Sequence, residues 1–208
     1  MTTSYPFDII LASASPRRHE ILNQAGIGHR ILTAPADEHA VPFPEGNPGE
    51  YVMTLARLKN DAVRDAVPGD CDGSVILSAD TVVWSPTQGQ PLGKPKDADD
   101  ARRMLRALSG TSHFVVTGVM LRFTKAGRVR EALFAEETEV FFRELSEDEI
   151  ERYVQSGDPM DKAGAYGIQS GACSFVRWIR GDYFNVVGLP VCHVVEELNK
   201  LNKLARKG

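Results

Sequence analysis

The sequence predicts a mixed α/β protein, with an elongated, twisted sheet flanked by helices. Short apolar segments alternate with helical patterns as far as Gly110, and two long β-rich stretches then follow one another across a turn. The composition agrees: 208 residues, 42% hydrophobic and 25% charged, suit an ordinary globular chain and exclude collagen, disorder and a disulfide-knotted miniprotein. No break in composition divides the chain, so residues 1–208 read as one domain, with two lobes around a cleft.

The elements follow in order. Phe7 to Ala12 is a short apolar run with β-branched members, and Ser15-Pro16 opens a helix behind it, with Ser15 as N-cap, Pro16 at the first helical position and Gly26 near the stop. His29 to Thr33 is a second apolar piece, followed by a Pro- and acid-rich loop to Pro48. Asn47-Pro48 begins a helix to about Ala66 whose apolar stripe is Tyr51, Leu55, Leu58 and Ala62. Ser74 to Leu77 reads as a buried strand that reaches Ser78–Trp84, and Ser85 to Pro95 is loop by its Gly and Pro content. Asp97 opens a helix through Leu108. Phe114–Phe123 and Val129–Phe142 are long strands joined by Thr124-Lys125-Ala126-Gly127. Ser146 caps an acidic helix start that leads to Ser156-Gly157, and Leu189-Pro190 precedes a final amphipathic helix to about Leu204.

Charge narrows the function. Lys and Arg total 24 against 28 Asp and Glu, a formal net charge of −4, so no basic field draws the protein to nucleic acid. Anionic ligands would need cations gathered inside a cleft. Cys71, Cys173 and Cys192 show no CxxC spacing and read as reduced thiols of a cytoplasmic protein. Met1 to Asp8 lacks a basic region before a long apolar stretch, and Ile9–Ala12 is too short for a signal or membrane helix.

Several local constellations can carry chemistry. At Ser13-Ala14-Ser15-Pro16-Arg17-Arg18, helix N-terminal amides, hydroxyls and two guanidiniums favour a phosphate. The same residues also fit a plain capped helix with solvated arginines. Asp80, where the apolar strand ends, is placed to hold a divalent metal or take a proton from water, or simply to serve a turn. Asp37-Glu38 adds loop carboxylates, and magnesium commonly uses one or two acids plus substrate phosphates. Lys94 sits in the rigid loop Leu92-Gly93-Lys94-Pro95, Lys59 borders the apolar stripe of its helix, and Lys162 begins a stretch of small residues. In Asp161–Gln169, glycines permit close backbone approach to a flat ligand, and the Gln169 amide can both donate and accept. The five histidines show no HxxxH or HExxH pairing, which argues against catalytic zinc.

Taken together, Ser13–Arg18 with Glu20, Ser78–Val83, Gly93-Lys94-Pro95, Leu108-Ser109-Gly110, Thr117-Gly118-Val119, Asp161–Gln169 and Asn185–Pro190 closely resemble the Maf family, over nearly the whole chain. The resemblance implies a nucleoside triphosphate pyrophosphatase. Such an enzyme yields the monophosphate and pyrophosphate with a divalent metal, magnesium first and manganese or cobalt as alternatives. It also implies a fold similar to that of inosine triphosphate pyrophosphatases and a homodimer. Within the family, Arg17, Thr81 and Gln169 agree with the dTTP/UTP branch, whereas the branch acting on 7-methyl-GTP typically has Trp, Gln and Glu there. By the same resemblance Asp80 matches the proton acceptor and, with Glu38, the metal site, while Ser13, Arg18, Lys59 and Lys94 match positions around the phosphates. Val176-Arg177 departs from the family's commonest pattern. Two other readings stay open: a pyrophosphatase for modified pyrimidine nucleotides, and a nucleotide-binding regulator of septum formation with little turnover.

Overall fold

The computed structural model describes residues 5–205, so the reading of Met1 to Asp8 lies partly outside the described residues. Six strands form one sheet in the order β2-β1-β3-β4-β5-β6. β1 (Asp8–Leu11) lies between β2 (Arg30–Ile31) and β3 (Ser74–Trp84), parallel to both. β3, β4 (Ser112–Lys125), β5 (Arg128–Phe142) and β6 (Val176–Arg180) pair antiparallel in succession. The sheet is therefore mixed, as expected from early strand–helix alternation followed by a meander. Ala126 and Gly127, at φ 48° and 75°, make the two-residue loop that joins β4 to β5, because a left-handed pair matches the twist of the strands.

One helix covers one face of the sheet. It is α2 (Pro48–Ala66), whose N-cap Asn47 accepts the Glu50 N–H. Its buried side carries Val52, Leu55, Ala56, Asn60 and Val63; Tyr51, Leu58 and Ala62 are only half-buried. The apolar stripe is thus rotated from the expected one. The reason is Gly118 on β4: a Cβ there would lie 2.3 Å from the Val52 carbonyl carbon and oxygen. Without one, the Val52 side of α2 lies directly on the sheet.

The opposite face is covered at one end by α1 (Pro16–Gln24) and α6 (Val191–Ala205), through Ile21, Leu22, Val194, Leu198 and Leu201. At the other end α3 (Ala98–Leu108) and α4 (Glu147–Gln155) pack through Leu105, Leu108, Ile150 and Val154. Ala79 belongs to the first cluster and Val83 to the second, so the two hydrophobic bodies part at Thr81, between them on β3. Asp97 caps α3, and Ser146 with Glu149 forms a reciprocal capping box on α4. The sequence reading assigned no helix to α5 (Tyr183–Val187), a single turn capped by Asp182 and ended by Gly188. Five residues are too few to show a helical period.

Candidate functional site

The site begins where β1 leaves β3. Their parallel pairing ends at Leu11 and Leu77, and the chain then turns into α1 while β3 runs on to Trp84. Asp80 therefore lies within a continuous strand and not at a strand end, as the sequence had suggested; the parallel neighbour ends instead, and that opens the edge. Successive side chains of a strand point to opposite faces. Asp80 faces α2, and Thr81 faces α1 and α5. A cleft of about 1100 Å³, the size of a small-molecule site, wraps this exposed edge and is lined on both sides.

On the α2 side, Lys59 Nζ contacts Asp80 Oδ1 at 2.5 Å and Glu38 Oε2 at 3.0 Å. Gly118, paired across the sheet with Asp80, brings α2 close enough for this contact. Asn60 anchors the helix at the same level: its amide donates to the Ile76 carbonyl at 3.0 Å and to Ser78 Oγ at 3.2 Å, and Ser78 Oγ donates to the Ala56 carbonyl at 2.7 Å. Asp80 Oδ2 makes no hydrogen bond among the described residues. Two carboxylates converging on one cationic nitrogen form an oxygen donor set that fits a hard divalent cation completed by phosphate oxygens and water. No cluster of three or more His, Cys, Asp or Glu side chains suited to a metal occurs among the described residues.

On the other side, Arg18 is 8% exposed. Its Nε donates to the Gly188 carbonyl at 2.9 Å, Nη1 to Ser13 Oγ at 2.9 Å and Nη2 to Thr81 Oγ1 at 3.1 Å. Three chain segments are tied by one side chain. Burial, the largest influence, lowers the Arg18 pKa from its usual value; Asp80 and Glu38 oppose this and neighbouring Arg17 adds to it. Thr81 is held further by Thr117 Oγ1 at 3.0 Å. Ser15 stands at the N-cap of α1 with extended backbone, but its hydroxyl makes no capping bond, so the first-turn amides are left to the cleft.

Arg17 Nη1 pairs with Asp161 Oδ2 at 2.9 Å, and Lys162 Nζ with Asp161 Oδ1 at 2.6 Å. Lys94 and Gln169 are exposed on the cleft wall and make no side-chain hydrogen bond or ion pair among the described residues. The structure thus brings Ser13, Arg17, Arg18, Glu38, Lys59, Asp80, Thr81, Lys94 and Gln169 to one cleft. It differs from the sequence reading in their state: Lys59 engages carboxylates, and Arg18 is buried within the wall, held by neutral oxygens.

Three cleft residues were missed. Tyr51 was read as core, yet it faces the carboxylates: burial first, then Asp80 and Glu38, raise its phenol pKa. Asp161 was quoted only as the flank of a small-residue stretch. Asp158 accepts from Tyr153 Oη at 2.6 Å and Ser170 Oγ at 2.5 Å, pairs with Lys162 and so shapes the loop carrying Gln169. Isolated acids give no period or spacing by which a sequence could flag them.

Residues 8–201 match the model of a family described as Maf-like protein. A dTTP/UTP pyrophosphatase of Agathobacter rectalis is 48% identical over 93% of this chain and 97% of its own length. Those of Citrifermentans bemidjiense and a Geobacillus species are 47% and 46% identical, covering 94% and 93% of this chain and 96% and 97% of theirs. A crystal structure of a nucleoside-triphosphatase, a dITP/XTP pyrophosphatase from Mycobacterium abscessus, aligns with 65% of this chain and 72% of its own at 18% identity, with a TM-score of 0.34.

Proposed function

Because the chain belongs to the Maf-like protein family, we propose that it hydrolyses dTTP and UTP to the monophosphate and pyrophosphate. The observation that carries this reading is the meeting, in one cleft, of a carboxylate pair on Lys59 with the hydroxyls, amides and guanidiniums around α1. Curated relatives with nearly complete mutual coverage carry dTTP/UTP pyrophosphatase as their name.

Asp80 is the proposed base. Lys59 holds Oδ1, which leaves Oδ2 to take a proton from the attacking water. The water oxygen bonds to the α-phosphorus as the bond from that phosphorus to the bridging oxygen of the β-phosphate breaks, and pyrophosphate leaves. Glu38 and Asp80 would hold a divalent cation, magnesium first, which supplies Lewis acidity and charge neutralisation when bound. The free first-turn amides of α1 with Ser13 and Arg17, together with Lys94 across the cleft, steady the polyphosphate. Arg18 fixes Ser13, Thr81 and Gly188 so that these groups keep their aim. Thr81, Arg17 and Gln169 discriminate the base and sugar.

The test is purified protein with magnesium against a panel of canonical and modified nucleotides, scoring pyrophosphate and monophosphate apart from orthophosphate. The expected products are pyrophosphate and TMP or UMP. Asp80→Asn, with fold and nucleotide binding retained, should lower kcat by about 10²–10⁴-fold. Tight nucleotide binding without pyrophosphate release by the wild type would refute the reading.

A further inference from the structure

Five cationic side chains, Arg17, Arg18, Lys59, Lys94 and Lys162, share the cleft with four carboxylates, Glu38, Asp80, Asp158 and Asp161. A triphosphate therefore enters a site whose charge is already largely cancelled from within. Three of the acids are bound up locally: Glu38 and Asp80 meet Lys59, and Asp158 is enclosed by Tyr153, Ser170 and Lys162. Asp161 differs. Its two oxygens reach separate cations on separate segments, Arg17 on α1 and Lys162 on the loop that leads to Gln169. Its side chain is 62% exposed, and no neutral donor holds it among the described residues. Two cations gripping two oxygens of one anion is also how a phosphate is held.

We propose that Asp161 is a placeholder anion: it holds Arg17 and Lys162 at the cleft wall, and the polyphosphate of an arriving nucleotide displaces it from Arg17. Its charge then weakens polyphosphate binding and eases the departure of pyrophosphate. Lys162 first, then Arg17, bring the Asp161 pKa down to about 2, so the placeholder is charged at neutral and mildly acidic pH. This inference deepens the proposed activity and rests on the cleft being a triphosphate site.

Inorganic pyrophosphate is the probe, titrated by calorimetry into the full chain in magnesium buffer at low and high salt. Asp161→Asn keeps a side chain that can accept from Arg17 but removes the charge. It should bind pyrophosphate at least about threefold more tightly than the wild type, as expected for one partly exposed charge, with the gain shrinking in high salt. Asp161→Glu, which keeps the charge, should remain near the wild type. Unchanged or weaker binding by folded Asp161→Asn overturns the proposal and leaves Asp161 a staple of its loop. Asp161→Ser, read in the same way, covers a failure of Asp161→Asn to fold. Wild-type hydrolysis of dTTP with no gain in Asp161→Asn defeats this inference alone. Tighter pyrophosphate binding by Asp161→Asn in a protein that hydrolyses no nucleotide defeats the proposed activity instead.

Discussion

At position 169 an amide presents both a donor and an acceptor to the cleft, whereas a carboxylate presents acceptors only. An imide edge, with its one N–H between two carbonyls, suits the amide; a purine edge rich in N–H suits the acid. Gln169→Glu should therefore lower kcat/KM for UTP and dTTP relative to 7-methyl-GTP, and a nucleotide panel on the folded variant reads the ratio. An unchanged preference would remove Gln169 from base recognition. Single residues were unevenly legible. Asp80, Arg17 and Gln169 sit in motifs that can be read along the chain, but the partners that set their state come from far away: Lys59 lies 21 residues before Asp80, and Asp161 lies 144 residues after Arg17. No local spacing encodes such pairs. Arg18 shows the difference most plainly. Its motif announces a cation, while burial against the Gly188 carbonyl makes it a tie between segments.

Elements were legible wherever caps and breakers mark them. Asn47-Pro48, Asp97 and Ser146 each place a side-chain acceptor ahead of a helix, and each helix begins there. What failed was the facing of α2, because a four-residue stripe can be drawn at two phases and only the partner surface chooses between them. Gly118 makes that choice, so its replacement tests the connection between packing and site. Gly118→Ala puts a methyl group against the Val52 main chain, which cannot rotate away as a side chain could. The variant should lose about 2–3 kcal/mol of stability in urea unfolding. Where it stays folded, kcat should fall more than KM changes, since α2 would move outward and carry Lys59 from Asp80. A fully stable and active Gly118→Ala would show that α2 can shift without cost.

For the molecule as a whole, acidity acts through groups spread over the face opposite α2. His113, with no exposed surface, bonds Tyr166 Oη at 2.9 Å, and burial lowers its pKa to about 3. The folded protein keeps this ring neutral while the unfolded chain takes up a proton below about pH 6.5, so stability falls as the pH drops from there toward the folded value. Glu149, lowered to about 2 by Arg143 first and then by Ser146, and Asp161 act in the same direction but later. Their stabilisation is present above the unfolded carboxyl pKa and is lost as the pH falls toward 2. The urea midpoint should thus already decline between about pH 7 and pH 5, and His113→Gln should flatten that early part while leaving the acid limb. An equal decline in the variant would assign the early loss to other groups. The global architecture and a cleft between two lobes were readable from the order of strand and helix patterns, but the origin of the opening was not: it arises because β1 stops at Leu11 while β3 continues.

That mismatch in strand length has a further effect. Asp80 and Thr81 are consecutive, and the pleat sends one toward Lys59 on α2 and the other toward Arg18 on α1. Adding or deleting one residue upstream in β3, with the pairing otherwise kept, would swap the two directions together, turning the hydroxyl toward Lys59 and the acid toward Arg18. A one-residue slip of that strand would therefore disturb both walls of the cleft at once.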